Sequence, residues 1–573
     1  MVTDPAVLSI LIVASLVVIS IFSSVLSFRM GAPLLLVFLG VGLLAGEDGI
    51  GGIDFDDAEL AYWGGSLALA VILFDSGFAT SWRAYRKAAA PALTLATLGT
   101  VLTAAMLSAA AWLLLPIDWP VALLLGACLS STDAAAVFFL LRTGGVRIRE
   151  RVRATLEIES GTNDPVAIFM VLAMLSVLAG DREGLSGMLL TFVQQFGFGA
   201  LLGVGGGLAM VRLVNVLDIE TALYPIAVLA MALIVFASTS LVGGSGFLAV
   251  YLAGLMAGNQ RLKGKYSMRR FQAGLTWLAQ ILMFVTLGLF AVPSTFLDVL
   301  LPALGLALLL TVVARPLAVA VCLAPQRFAR NEMAFVSWVG LRGAVSILLA
   351  ILPMRVGIED GQLLFNVAFL VVVFSLLLQG WTVKLAAQRL KLIETAQGGM
   401  IDRIELELPG RAAHELVGYR LAANSPALRS TRIPRWARPS LILRDGESLR
   451  PHQAGPLRAG DTVYLFCAER HLRLLDRIYT AVDTVDARDF LGDFSLPPDA
   501  SVDSIAERFD ISLPQDMRGK TLRQVFSERL RGGLELGDRI PLGPFELIVR
   551  DISAEGVVEE VGLLIDDPDI VRR

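Results

Sequence analysis

Residues 159–165 read Glu159-Ser160-Gly161-Thr162-Asn163-Asp164-Pro165. They decide the class of protein, because the residues after them, to about 180, are almost all apolar and extend the segment to the roughly 20 residues that cross a bilayer. Ionisable side chains are costly at that depth and are functional candidates by default. Pro165 removes one backbone donor and leaves a carbonyl of the preceding turn without its helical partner. A desolvated carboxylate such as Asp164 can hold a monovalent cation or a proton. Competition between those two ligands for one site is enough to couple their movements. The plainer reading of Asp164 is a cap near a helix start.

The apolar character extends outward from this segment. The chain has 573 residues, 55% of them hydrophobic and 17% charged, whereas soluble domains are roughly a quarter charged. The excess lies between residue 6 and about 392, and residues 393–573 read as an ordinary soluble tail. Candidate spans fall at 6–28, 31–46, 62–80, 90–115, 120–142, 157–180, 187–215, 221–239, 243–258, 274–292, 297–325, 332–353 and 361–385, roughly thirteen by the length rule. Residues 1–5, Met-Val-Thr-Asp-Pro, lack a positive n-region, so the first apolar run is expected to be a span and not a cleavable signal.

The loops alternate in charge. Arg29; Arg83, Arg86 and Lys87; Arg147, Arg149, Arg151 and Arg153; Arg261, Lys263, Lys265, Arg269 and Arg270; and Arg327 and Arg330 fall on every second loop. The intervening loops have no such clusters, and one, 47–59, is acidic. The positive-inside rule then places the N-terminus outside and the tail in the cytoplasm. The net charge of −4 excludes a strongly basic, nucleic-acid-binding chain. Cys128, Cys322 and Cys467 show no paired spacing, so neither a disulfide framework nor a zinc site is expected. All three histidines lie in the tail, so carboxylates must carry any pH response of the membrane part.

Further ionisable residues lie within spans. Asp133 sits in Ser130-Ser131-Thr132-Asp133-Ala134, a polar stretch between two apolar runs, which predicts an interrupted helix in the fifth span. Gly340-Leu341-Arg342-Gly343-Ala344 interrupts the twelfth in the same way. Paired broken segments in matching halves point to the binding site of a secondary transporter. They occupy matching places if spans one to six and eight to thirteen are repeats. Arg342 could neutralise the carbonyl ends of the half-helices; the alternative is a plain loop arginine. Arg315, before Pro316, is deep in an apolar run and needs a carboxylate partner, for which Glu159 is the choice, as a structural pair. Asp75, near the cytoplasmic end of the third span, either lines an inner vestibule or snorkels at the interface. Glu157 is assigned to the interface, outside the site.

Together these residues resemble the monovalent cation/proton antiporter superfamily in its Asn-Asp branch, which includes the bacterial NhaP-type exchangers. The likeness covers about residues 6–390, and Glu-Ser-Gly-Thr-Asn-Asp-Pro is its most specific motif, supported by Thr132-Asp133 and Gly-Leu-Arg-Gly. It implies an all-α membrane domain of inverted repeats with crossed broken helices, a dimerisation domain and an elevator-like movement. It also implies that Asp164 binds cation or proton, with Asp133, Thr132, Ser160 and Asn163 nearby, and that exchange is electroneutral. Two departures stand out: relatives commonly have proline where this chain has Ala134, and glutamate where it has Asp75.

In the tail, strand patterns at 404–408, 415–421, 439–444 and 461–467 flank Asp445-Gly446, a hairpin turn signal. Residues 403–485 resemble the C-terminal ligand-binding module of potassium-conductance regulators, called TrkA-C or RCK-C. Gly418 to Leu421 and the run from Leu457 to Phe466 carry that likeness. No Gly-x-Gly-x-x-Gly fingerprint precedes it, so no NAD site is expected. After a linker near 486–500 containing Pro497-Pro498, residues to 573 read as a helix at 501–511 and strands at 540–565, and resemble a small CorC/HlyC-type transporter-associated domain. The expectation is therefore a membrane domain (1–392) plus two small cytoplasmic α+β domains. It would sit in the bacterial inner membrane as a homodimer and exchange K+, or Na+, for H+ without a resident cofactor or metal. A small cytosolic ligand, such as a nucleotide, would act on the tail. The alternatives are a Na+/H+ antiporter and a ligand-gated K+ channel, although no Thr-Val-Gly-Tyr-Gly filter is present.

Overall fold

The computed structural model describes residues 5–565 apart from 31–32, 144–145, 147, 180–184, 261, 394–398, 406–413, 424, 430–432, 434, 469–471, 481–493, 509–512, 531–532, 536, 543–544 and 554–556. It divides into two units, Met1–Glu394 and Thr395–Arg573. The first is helical throughout: α1 (Pro5–Met30), α2 (Leu34–Ala45), α3 (Ala58–Ala79), α4 (Trp82–Thr94), α5 (Thr100–Leu114), α6 (Trp119–Cys128), α7 (Ala134–Thr143), α8 (Glu150–Leu178), α9 (Leu185–Val216), α10 (Leu223–Leu241), α11 (Gly246–Asn259), α12 (Lys265–Leu289), α13 (Leu300–Leu309), α14 (Arg315–Leu323), α15 (Arg330–Trp338), α16 (Ala344–Val356), α17 (Gly361–Gly380) and α18 (Val383–Arg389). Among the described residues nine helical segments are long and apolar enough to cross a membrane, and four shorter apolar helices accompany them. The chain is a multi-pass membrane protein.

Both predicted interruptions are present. The fifth span breaks between α6 and α7, and the twelfth between α15 and α16. Two further irregularities were not foreseen. Leu95–Gly99 joins α4 to α5 as a π-helical turn, and Leu310–Ala314 joins α13 to α14 in the same way. They lie in the fourth and eleventh spans, immediately before the two broken ones. The same order of irregularities thus recurs in both halves, as a repeat would require. No regular sequence period announces a π turn.

Helix α8 corrects one expectation. It begins at Glu150, well before the apolar run, because the charged first turns still form helix beyond the apolar core. Asp164 therefore lies midway along the helix and is not a cap at its start.

Glycines bring the helices close. On α3, a Cβ at Gly77 would lie 2.2 Å from the Tyr251 carbonyl oxygen of α11, and one at Gly254 would lie 2.3 Å from that of Phe74. Such small-residue seams replace the hydrophobic driving force that helices lack in lipid. Asp57 caps α3 by accepting from the backbone N–H groups of Glu59 and Leu60.

The second unit carries two antiparallel sheets. The first has strand order β1-β2-β5-β3-β4, from β1 (Gly399–Glu405), β2 (His414–Arg420), β3 (Leu441–Arg444), β4 (Glu447–Leu449) and β5 (Thr462–Ala468). Asp445 and Gly446, both at positive φ, make the predicted β3–β4 turn. The second sheet has order β6-β9-β8-β7, from β6 (Phe494–Leu496), β7 (Arg539–Leu542), β8 (Phe545–Ile552) and β9 (Val558–Ile565). The expected linker near 486–500 thus contains an edge strand, β6, which pairs with β9 until Pro497 and Pro498 end the ladder. The two sheets meet where Trp436 Nε1 donates to the Gly537 carbonyl at 3.1 Å and Arg438 pairs with Glu535 at 2.5 Å.

The seam between α3 and α11 gives a direct test. Gly77→Leu should destabilise the protein by about 1–3 kcal/mol, the usual cost of overpacking. Gly64→Leu, whose Cβ would enter open space, should leave stability unchanged. Thermal unfolding of the purified protein in detergent reads the difference.

Candidate functional site

The two helix breaks meet. The Asp133 backbone N–H donates to the Leu341 carbonyl at 2.8 Å. Arg342, fully buried, donates from Nη1 to the carbonyls of Ser130 and Ser131 at 2.8 and 2.6 Å. Those carbonyls follow the C-terminal end of α6, where the helix concentrates partial negative charge. The Arg342 backbone N–H donates to Ser375 Oγ (3.1 Å), that hydroxyl to Gln379 Oε1 (2.6 Å), and Gln379 Nε2 to the Trp338 carbonyl (2.9 Å), at the end of α15. Asp133 serves the opposite pole: its Oδ1 accepts from the Ala136 N–H (3.2 Å) in the first turn of α7. A Cβ on Gly343 would lie 2.2 Å from Asp133 Oδ2, so only glycine lets the second break pass this close.

Helix α8 runs beside the crossing and ties into it through most of the residues singled out by sequence. Asn163 Nδ2 donates to Thr132 Oγ1 at 2.5 Å, and Thr132 Oγ1 donates to Glu159 Oε1 at 3.4 Å. Ser160 Oγ donates to the Thr132 carbonyl (2.9 Å) and accepts from the Ala134 N–H (3.1 Å). The departure at Ala134 therefore has a physical consequence: a proline there could not make this last bond. Ser131 Oγ donates to Asp164 Oδ1. Asp164 itself is only 3% exposed.

A cavity of about 230 Å³ reaches this cluster. Asp133 and Thr132 line it from the crossing, Asp164 and Ser160 from α8, Asp75 from α3, and Thr276 and Gln280 from α12. Asp75 Oδ2 accepts from Thr276 Oγ1 at 2.9 Å. Glu157, assigned by sequence to the interface, lies on the cavity wall as well and pairs with Arg153 at 3.8 Å. Sequence reasoning also missed Ser131, Thr276 and the Ser375–Gln379 relay. The one available signal was the run of three hydroxyls inside the fifth-span break, Ser130, Ser131 and Thr132.

The family described as sodium/hydrogen exchanger, transmembrane, matches residues 12–389. The chain belongs to the sodium/hydrogen exchanger family. Among its relatives is the K(+)/H(+) antiporter NhaP of Alkalimonas amylolytica, 40% identical over 97% of this chain and 98% of that protein. The K(+)/H(+) antiporter NhaP2 of Shewanella oneidensis is 39% identical over 96% and 97%. The Na(+)/H(+) antiporter ApNhaP of Aphanothece halophytica is 28% identical over 77% and 83%. These relatives are secondary transporters and not enzymes. The structure of the sodium proton antiporter MjNhaP1 from Methanocaldococcus jannaschii matches with a TM-score of 0.60 at 22% identity, over 67% of this chain and 99% of that one. The exchanger fold is thus shared.

Within this exchanger fold, Glu159 and Arg315 form a buried, two-pronged ion pair. Nη1 donates to Oε1 at 2.6 Å and Nη2 to Oε2 at 2.8 Å. Arg315 follows the π turn of the eleventh span and packs on the second break, where a Cβ on Gly340 would meet its Nε at 2.6 Å. Such a pair gains little over an apolar substitute, but breaking it strands a charge. Glu159→Gln or Arg315→Met alone should each cost about 3–5 kcal/mol, and the double substitution should recover most of that loss. Unfolding of the purified single and double variants completes the cycle.

Proposed function

We propose that the chain exchanges K+ for H+ electroneutrally across the bacterial cytoplasmic membrane, with Asp164 holding the cation and the proton in turn. One observation carries this reading: a buried carboxylate stands beside two crossed helix breaks and on the wall of a cavity. A single carboxylate that releases one positive charge as it takes up another keeps the cycle electroneutral. Asp133, Thr132 and Ser160 contribute oxygens around the ion, and Asn163 holds Thr132 in place. Glu159 and Arg315 are structural, and Arg342 compensates the carbonyls at the break. Asp75 lines the route by which ions reach the site.

K+ is favoured over Na+ because the relatives named K(+)/H(+) antiporters match nearly the whole chain, tail included, whereas the Na(+)/H(+) antiporter ApNhaP matches less of it and at lower identity. The basic loops support an external N-terminus and a cytoplasmic tail. We assign residues 1–392 to transport, 403–485 to a TrkA-C-like module and 486–573 to a CorC/HlyC-type module. The tail modules would adjust the exchanger in response to a small cytosolic ligand, a nucleotide included, and the working unit would be a homodimer.

Purified protein in liposomes with an internal pH-sensitive dye tests the proposal. Added K+ should move protons, independently of a clamped membrane potential, and Asp164→Asn should abolish the movement while remaining folded. Exchange retained by Asp164→Asn would overturn the site. An equal response to Na+ would remove the preference for K+. Uncoupled, conductive K+ flux would favour a channel.

A further inference from the structure

Ser131 differs from the buried hydroxyls that sit on helices and bond locally. Thr100, Thr103, Ser108, Thr155 and Thr311 all sit on helices and donate to the carbonyl four residues earlier, the ordinary local bond of such side chains. Ser131 lies in the break beside Ser130, whose hydroxyl donates back to the Ala127 carbonyl of α6 at 2.7 Å. Ser131 donates instead across the crossing to Asp164 Oδ1. Its carbonyl is held at 2.6 Å by Arg342, so its own position is set by the second break.

The consequence falls on the two oxygens of Asp164. Oδ1 is occupied by the Ser131 hydroxyl, whereas among the described residues no group donates to Oδ2. The carboxylate also lines the cavity, while Ser131 is buried and outside the cavity lining. We propose that Ser131 is a positioning residue for exchange: it anchors one oxygen of Asp164 and leaves the other as the single face presented to the incoming cation or proton. This rests on the reading of Asp164 as the exchange carboxylate.

The anchoring has a chemical signature. A hydroxyl bonds more strongly to a carboxylate than to a neutral carboxylic acid. The Ser131 bond therefore supports the cation-loaded form, in which Asp164 stays ionised, more than the proton-loaded form. Removing it gives the proton an advantage in the competition. The other charged groups around Asp164 remain in place in such a variant: Asp133 at the break, Glu157 and Glu159 on α8, Asp75 on α3, Arg315 on α14 and Arg342 before α16.

The test is K+-driven proton movement by the full chain in liposomes, measured across a pH series for wild type, Ser131→Ala, Ser131→Thr and Asp164→Asn. In Ser131→Ala the KM for K+ should rise about tenfold or more at the acidic end, the scale expected for losing a hydrogen bond to a charged group. It should converge on the wild-type value at the alkaline end, where protons no longer compete, with kcat within about twofold of wild type. Ser131→Thr, which keeps the hydroxyl, should restore the low KM. If Ser131→Ala does not fold, Ser131→Cys, a weak donor of similar size, is read by the same criteria. A KM equal to wild type at every pH, or one raised equally at every pH, overturns the proposal. Should Asp164→Asn still exchange, the site reading itself fails. An inactive Asp164→Asn beside an unaltered Ser131→Ala overturns the anchoring alone.

Discussion

A helix interrupted inside a bilayer leaves backbone carbonyls and N–H groups with no water to satisfy them, and each left unpaired costs several kcal/mol. This protein interrupts two helices and crosses the breaks, so that each break supplies what the other lacks. Leu341 offers its carbonyl to the Asp133 N–H, and Arg342 offers its guanidinium to the carbonyls of Ser130 and Ser131. Arg342 serves the negative end of α6 and Asp133 the positive end of α7, which is the arrangement that helix dipoles favour. The crossing therefore depends on opposite charges at its two poles, and on Gly343, whose missing side chain lets them approach.

Everything near Asp164 is positioned from this crossing. Thr132 and Ser131 leave the helical path at the break, so their hydroxyls are free to reach α8. Glu159 and Arg315 then fix α8 to α14 through a bidentate pair, whose planar fork restricts rotation as a lysine could not. On the other side, α3 and α12 complete the cavity with Asp75 and Thr276. The two halves of the wall are held differently. The crossing is tied by charge and hydrogen bonds, while α3 joins α11 through close glycine contacts.

The soluble unit follows simpler rules. Its two sheets have their own apolar cores, one around Tyr419, Leu465 and Tyr479 and the other around Phe526, Leu547 and Val561. Alternation of apolar and polar residues sets strand register in the first, whereas β8 of the second is buried at five successive positions, and short strands at several edges limit unwanted pairing.

The sequence alone determined the membrane class, the positions of the spans, the two interruptions and the family, because apolar length and the rarity of buried charge are properties of the chain read in order. It also nominated Glu159 as the partner of Arg315, since a lone arginine at that depth is too costly to leave unpaired. Tertiary structure decided what no linear period encodes: the π turns at Leu95–Gly99 and Leu310–Ala314, the full extent of α8 and the edge strand β6. It also decided the place of Glu157 on the cavity wall and the bond from Ser131 to Asp164. Those features arise from contacts between segments far apart in the chain, where a side chain's partner is chosen by which backbone passes close to it.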